Sequence, residues 1–486
     1  MQYPIYSPDI QPYTTSVRKA IDDGWISSQG EFISKAEKTC VNVIGSPYVV
    51  LVNNGTSATH LLYKSLKYKY PNIQRIYVPD YVFVAVWNCA LYEYTPEQIS
   101  VLKMNPKTLN MCEDEDYLLS LEANSAVVVV HNVGNIVNVP RMQRLRPDLV
   151  FVEDCCEAFL ESYEGVTVGT KSLCAAVSFF GNKLITTGEG GLWYTHDKAL
   201  YEFIYKSCHH GTTTERYVYD VLGYNYRMTN LQAAFLFDQL QDIQAILHRK
   251  REVYERYVRL LKDTDYTPST TGLWMFILRS NTEPYSTLQT RLRTCGVDVR
   301  PMFYSIHTHS HLRSITAQPQ DIQHSSLCMI PSSPTLSAYD QTYIIHCMVQ
   351  PTVFDIRQAT STGLHEFLTH ELPSTFRYFQ TRDPTTCLER HQMTVLVYDQ
   401  GSPVAYGHID DFWIGVCVLP SHQRKGYGSY ILNFLILYAK AINASYLRLS
   451  VDKDNHTAIE LYTKKGFTTL QIADTYYLMR KQLDYI

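Results

Sequence analysis

The sequence predicts an α/β protein of more than one domain. Three observations carry this. Residues 40–200 alternate short apolar runs with amphipathic stretches, a long helical stretch without Gly or Pro follows, and a separate strand, glycine loop and helix pattern opens after residue 350. At 486 residues the chain is too long for one hydrophobic core and requires two or three domains.

The elements follow in order. "YVVLVNN" (48–54) is a strand ending in a polar turn, and "GTSATHLLYKSLKYK" after it puts Ala58, Leu61, Leu62 and Leu66 on one helical face. "RIYVPD" (75–80), "AVVVVH" (126–131) and "LVFVED" (149–154) are further apolar runs ending in polar residues. Parallel strands buried on both faces read this way, and their ligands bind at the carboxyl ends. From Asn230 to Lys262 neither Gly nor Pro occurs, which predicts one helix of 33 residues. Residues 263–349, with "LWMFILR" and "GVDVRPMFY", predict a smaller α/β lobe.

Composition excludes several classes. Hydrophobic residues make up 45% and charged residues 19%, so the chain is globular. The net charge of −4 offers no basic surface for nucleic acid. Twelve cysteines without a CxxC pair read as reduced thiols, which suits a cytoplasmic protein. "MQYPIYSPDI" has no basic stretch followed by an apolar one, so no signal peptide is expected, and no apolar run is long enough to span a membrane.

Chemistry concentrates in two places. In "SFFGNKLITTGEGG", Lys183 lies between an aromatic pair and a glycine turn. A pyridoxal phosphate site needs such a lysine to join the cofactor and move protons, an acid for the ring nitrogen, and main-chain N–H groups at a helix start for the phosphate. It also needs an apolar or aromatic face for the ring. Asp154 ends "LVFVED", Gly55, Thr56 and Ser57 open the helix after "LVNN", Phe83 offers a ring face, and Ser178 supplies a hydroxyl.

With "NNGTSA", "VPDYVFVA", "VEDCCEAF", "GYNYRMTNLQAA" and "RPMFYSIH", these residues resemble the DegT/StrS family of sugar aminotransferases, of fold type I. The resemblance implies that Lys183 bonds pyridoxal phosphate and Asp154 pairs with its ring nitrogen. It implies that Phe83 and Glu157 flank the ring, while Thr56, Ser57 and Ser178 bind the phosphate. Asn225 would reach the phosphate of a neighbouring subunit's cofactor, which implies a homodimer. Ser27, Ser28, Arg227 and His307 match segments that line the sugar-nucleotide cleft. One branch of the family carries histidine at the lysine position and dehydrates sugars. Lys183 favours transamination, and "VEDCCEA" resembles the branch that aminates C4 of 4-keto-6-deoxy sugars.

In "VCVLPSHQRKGYGSYILNFLILYAKA" (416–441), Gln423, Gly426 and Gly428 form Q-x-x-G-x-G between a strand and a helix, with Arg424 and Lys425 inside it. Successive N–H groups there suit a pyrophosphate. "YLRLSVDKDNHTAIELYTKKGF" (446–467) follows with Asn455 and Tyr462. Together these resemble the GNAT superfamily of acetyl-CoA-dependent N-acetyltransferases. The resemblance implies that the loop holds the CoA pyrophosphate and that Val416 and Val418 lie on a splayed strand beside the thioester. It also implies that Asn455 lies near the pantetheine and that Tyr462 protonates the departing thiolate. Asp411, at the start of the strand, is the candidate base, beside its plainer reading as a solvated strand-end carboxylate. "HTHSH" (307–311) could place three histidines on one strand face, but it falls in the family's substrate-loop segment, so no metal is expected.

The expected organisation is an aminotransferase over 1–349, its large domain about 1–245 and its small lobe about 246–349, followed by an acetyltransferase over 350–486. The joint expectation is amination at C4 of a UDP-linked 4-keto-6-deoxyhexose with glutamate as donor, then N-acetylation of the new amine. The product would be of bacillosamine or viosamine type, with TDP and GDP sugars left open. An acetyltransferase acting on an unrelated amine, or a scaffold on an old enzyme fold, are the other readings.

Overall fold

The apolar runs become strands because they are buried on both faces and can satisfy their main-chain groups only by pairing. The structure is a computed structural model that describes residues 2–315, 317–374, 376–380 and 382–483. It divides into two compact units, Met1–Tyr254 with Tyr266–Thr335, and Glu255–Asp265 with Leu336–Ile486.

In the first unit, β1 (Tyr48–Val52), β2 (Ile76–Pro79), β3 (Ile99–Leu102), β4 (Ala126–Val130), β5 (Val150–Asp154), β6 (Ala175–Ser178) and β7 (Gly191–Thr195) form one sheet, in the order β1-β7-β6-β5-β4-β2-β3. Only β7 runs antiparallel to its neighbours. Parallel strands put their carboxyl ends at one edge, so Asn53, Asp80, Asp154 and Ser178 all lie along it. Helix α1 (Gly55–Lys69) starts from that edge, capped by the Asn54 side chain, which accepts the Ser57 N–H at 2.8 Å. Its Ala58, Leu61, Leu62 and Leu66 pack with Val52, Val128 and Val152 in one core.

The 33-residue helix expected from Asn230 to Lys262 is two helices, α2 (Asn230–Gln241) and α3 (Ile243–Leu261). Asp242 breaks it, its carboxylate drawn aside to accept the Tyr13 hydroxyl at 2.7 Å. Aspartate is poorly suited to a helix interior because its side chain competes for local hydrogen bonds. The smaller lobe carries an antiparallel sheet of β8 (Tyr266–Pro268), β9 (Phe276–Ser280), β10 (Arg300–Pro301) and β11 (Leu327–Ile330), in the order β8-β9-β11-β10.

In the second unit, α4 (Ala338–Val349) packs on α5 (Tyr427–Ala441), with His346 edge-on to Tyr430 at 4.2 Å. The sheet comprises β12 (Asp355–Gln358), β13 (Met393–Asp399), β14 (Ser402–Asp410), β15 (Trp413–Val418), β16 (Tyr446–Asp452), β17 (Thr468–Ile472) and β18 (Tyr476–Gln482), in the order β12-β13-β14-β15-β16-β18-β17. β14 and β15 pair along their length, but β15 and β16 meet in parallel only at Trp413 and Arg448. Beyond that point the two strands part. Helix α6 (His456–Lys464) follows β16. Among the described residues no helix is long and apolar enough to cross a membrane.

Candidate active sites

Lys183 sits on the loop after β6, its side chain 13% exposed. Its Nζ lies 3.7 Å from Glu157 Oε1 and 4.3 Å from the centre of the Trp274 ring. Its main-chain oxygen accepts the Tyr6 hydroxyl at 3.0 Å. Glu157 is buried and accepts the Val133 N–H at 2.7 Å. Burial pushes its carboxyl up to about 7, against the pull of the Lys183 ammonium. Asp154, at the end of β5, accepts the Thr59 hydroxyl on one oxygen and the Cys156 N–H on the other, each at 3.0 Å. Its carboxylate is therefore fixed in orientation.

Ser178 ends β6 against the first residue of α1. A Cβ on Gly55 would lie 2.5 Å from Ser178 Cβ, so only glycine allows this approach. Ser57 Oγ donates to Asn53 Oδ1 at 2.7 Å, and Thr56 is exposed on the same first turn. One pocket is lined by Cys156, Glu157, Ser178, Lys183 and Trp274. Phe83 is 54% exposed and reaches this group through Phe303, whose ring lies 5.9 Å from Phe83 and 6.1 Å from Trp274.

The other expected residues lie apart. Asn225 presents its main-chain oxygen to Asn53 Nδ2 at 3.4 Å and its side chain to Arg227 Nε at 3.2 Å. Ser27 and Ser28 sit on an exposed turn, where Ser27 O accepts the Asn230 N–H at 2.6 Å. His307 is exposed on a short turn that Asp80 anchors through Ser305 and Ile306. Among the described residues, none of Ser27, Ser28, Arg227 and His307 hydrogen-bonds to the lysine group.

In the second unit, Gln423 Nε2 donates to Val418 O at 3.3 Å, closing the loop onto the end of β15. Arg424 and Gly426 have positive φ, 61° and 94°, and no side chain caps α5, so its first N–H groups are left for a ligand. Lys425 is exposed beside them. Gly428 has ordinary space for a Cβ, 3.6 Å from Leu461 and Val418. Val416 and Val418 are half-buried on the parting strand. Asn455 caps α6, accepting the Ala458 N–H at 3.2 Å. Tyr462 is buried on α6 and packs near Phe467, and burial pushes its hydroxyl up to about 12.

Asp411, the expected base, lies on a turn. Asp411 and Phe412 have φ of 46° and 64° and form the two-residue turn between β14 and β15, at the end of β15 remote from Val418. Aspartate is favoured there because it tolerates the left-handed conformation. Its side chain is 78% exposed and paired with Arg448 at 3.0 Å.

Residues 10–349 match the DegT/DnrJ/EryC1/StrS aminotransferase family. The chain belongs to that family. Residues 353–467 match the Acetyltransferase (GNAT) family, so a GNAT acetyltransferase domain is fused at its carboxyl side. The chain is 31% identical over 363 residues to the GDP-perosamine synthase of Escherichia coli O157:H7, covering 71% of this chain and 97% of that protein. It is 29% identical to the one from Vibrio cholerae, covering 71% and 98%. In fold it is similar to Helicobacter pylori PseC, an aminotransferase of pseudoaminic acid biosynthesis, with a TM-score of 0.65 at 20% identity over 71% of this chain and 98% of that one. A GDP-4-keto-6-deoxymannose-3-dehydratase with bound GDP-perosamine gives a TM-score of 0.65 at 19% identity over 71% and 100%.

DegT-family aminotransferases use pyridoxal phosphate, and the lysine edge fits it: the first turn of α1 and a serine meet at Gly55, and buried Asn182 Oδ1 has no partner among the described residues. When bound, the cofactor supplies an electron sink for proton removal from a carbon bearing the amine. Lys183 would bond it, Asp154 would meet its ring nitrogen, and Ser57, Ser178 and the start of α1 would hold its phosphate.

Sequence reasoning missed Tyr6, Thr59, Trp274 and Lys250. Thr59 carries a signal, one turn after Gly55 on the buried face of α1. The other three carry none, because only the fold brings them to Lys183. Lys250 is buried on α3 and donates to Trp274 O at 2.9 Å and Ser332 O at 2.7 Å, with its Nζ 5.2 Å from the Tyr6 ring centre. It therefore holds both aromatic walls of Lys183.

Burial pushes the Lys250 ammonium from 10.5 down to about 7. Unfolding takes up a proton between those values, so this residue's contribution to stability rises with pH across that window. The slope is at most about 1.4 kcal/mol per pH unit. Lys250→Met is expected to flatten that rise, read by denaturant unfolding at the two ends of the window. It also strands two carbonyls, at a cost of about 1–3 kcal/mol each.

Proposed function

We propose that the chain aminates C4 of a nucleotide-linked 4-keto-6-deoxyhexose and then acetylates the nitrogen it has installed. The observation that carries this is the fusion itself: one unit suited to making a primary amine on a sugar, and a second that acetylates amines. Glutamate is the donor, and the aminotransferase unit works as a cytoplasmic homodimer. The division into modules falls near residue 350.

The UDP of the sequence reading gives way to GDP. Two relatives that the chain matches over nearly their whole length are named for making GDP-perosamine, a 4-amino-4,6-dideoxy sugar nucleotide. The product would then be its N-acetyl derivative, in place of a bacillosamine- or viosamine-type sugar.

Each residue has a task. Lys183 Nζ takes the proton from the donor's α-carbon and returns one to C4 of the sugar. Glu157 stands 3.7 Å from Nζ, and the Trp274 face keeps water off it. In the second unit, the 423–428 loop receives the pyrophosphate of acetyl-CoA. The parting of β15 from β16 admits the thioester arm. Tyr462, protonated throughout the physiological range, gives its proton to the departing thiolate.

Mass spectrometry tests this on purified protein with pyridoxal phosphate, glutamate, acetyl-CoA and GDP-, UDP- and TDP-linked 4-keto-6-deoxy sugars. The expected result is a mass gain of one amine plus one acetyl group on the GDP sugar. An amine without acetyl would assign the second unit another acceptor. No amine on any sugar would overturn the proposal.

Two substitutions separate the halves. Lys183→Ala is expected to abolish amination while acetylation of supplied GDP-perosamine continues. Tyr462→Phe is expected to leave amination intact and to lower kcat for acetylation by about 10²-fold or more, the typical worth of a positioned proton donor.

A further inference from the structure

Without Asp411, acetyl transfer needs another group to take the proton that the amine loses. A cluster in the second unit is built for it. Tyr378 Oη lies 2.7 Å from His391 Nε2 and 3.2 Å from Asp410 Oδ2. His391 Nδ1 lies 2.7 Å from Thr394 Oγ1. The rings of Tyr378 and His391 cover His408 at 4.1 Å and 4.5 Å, the two imidazoles nearly parallel at 11°.

The position is as telling as the bonding. His408 on β14 pairs with Gly415 on β15, two residues past the single point where β15 meets β16. A Cβ on Gly415 would lie 2.3 Å from His408 Cε1 and 2.8 Å from its Nδ1, so the imidazole lies directly on the strand where it parts. His408 is 1% exposed, and its Nδ1 is buried with no hydrogen-bond partner among the described residues. Tyr378 and His391 are only half-buried, which leaves them within reach of an acceptor.

We propose that the acceptor amine is received at Tyr378, and that the Asp410–Tyr378–His391 chain removes its proton during acetyl transfer. The amine nitrogen attacks the thioester carbonyl, forming the N–C bond as the C–S bond breaks. The amine proton passes to Tyr378 Oη as its own proton moves to His391 Nε2. The thiolate takes a proton from Tyr462. Solvent then returns one proton to Tyr462 and removes one from His391, so the balance closes on amide and free CoA thiol. Tyr378 is the catalytic group, and His391 and Asp410 position and charge it.

The groups facing His391 are Tyr378 and Arg382 from the preceding loop, Arg390 beside it, Thr394 on β13, and Asp410 and His408 on β14. Burial holds the His391 imidazolium down to about 4, against the pull of Asp410, so the ring is neutral at neutral pH and a proton passed to it is soon given up to solvent.

This deepens the acetylation half of the proposed function and rests on it. The test uses the full-length enzyme and follows CoA thiol release in two ways: with GDP-perosamine as acceptor, and as slow acetyl-CoA hydrolysis with no acceptor. Tyr378→Phe and His391→Gln are expected to lower kcat at neutral pH by about tenfold or more in both assays, with the KM for acetyl-CoA unchanged. In His391→Gln the rate should climb with pH where the wild type is level, because hydroxide or free amine replaces the lost acceptor. Wild-type kcat and pH profile in both variants would overturn the inference. If the wild type hydrolyses acetyl-CoA but ignores the amino sugar, the proposed acceptor is wrong, and the variants' effect on hydrolysis still decides the role of the cluster.

Discussion

The contact between Lys183 and Glu157 is the constraint around which the first unit is arranged. Side chains only 13% and 6% exposed have lost most of their hydration, and at the Glu157 carboxyl burial outweighs the pull of the Lys183 ammonium. Removing one partner of such a pair costs on the order of 3–5 kcal/mol. The walls come from far along the chain: Tyr6 from the amino-terminal segment, Trp274 from the smaller lobe, and Lys250 from α3 tying both. Lys183 is thus enclosed only when these distant segments are all in place.

The sheet supplies the second requirement. Parallel strands deliver their last residues to a common edge, so an acid from β5, a serine from β6 and the opening turn of α1 converge without a special loop. Gly55 then decides how closely α1 can approach. A larger residue would push the helix start away from Ser178.

The second unit reaches a binding site by the opposite route, by interrupting regular structure. β15 and β16 share one point of register and then separate. Regular pairing would have consumed the main-chain groups that a thioester needs. Regular pairing with β14 sets Gly415 against His408, and the Tyr378 and His391 rings stack on that imidazole. Both sites need buried titratable groups, but they use them differently. Lys183 Nζ lies beside the buried Glu157 carboxyl, whereas Tyr462 is kept protonated chiefly by burial.

Much of this was legible in the residues. The strands at 48–54, 75–80, 126–131 and 149–154 were visible because burial on both faces demands apolar runs. Lys183, Asp154 and the Q-x-x-G-x-G loop stand out in the sequence because the chemistry proposed for them requires particular residue types beside turns. The single helix over 230–262 failed at Asp242, where a contact with Tyr13, more than 200 residues away, outweighed the absence of Gly or Pro. Asp411 failed because a turn that favours aspartate and a strand-end base look alike in sequence. The sequence alone therefore determined the class of fold and the order of the two modules. Tertiary structure alone decided what encloses Lys183, which rings stack on His408, and which aspartate falls on a turn. Those outcomes are distances between segments far apart along the chain, and local residue patterns do not encode such distances.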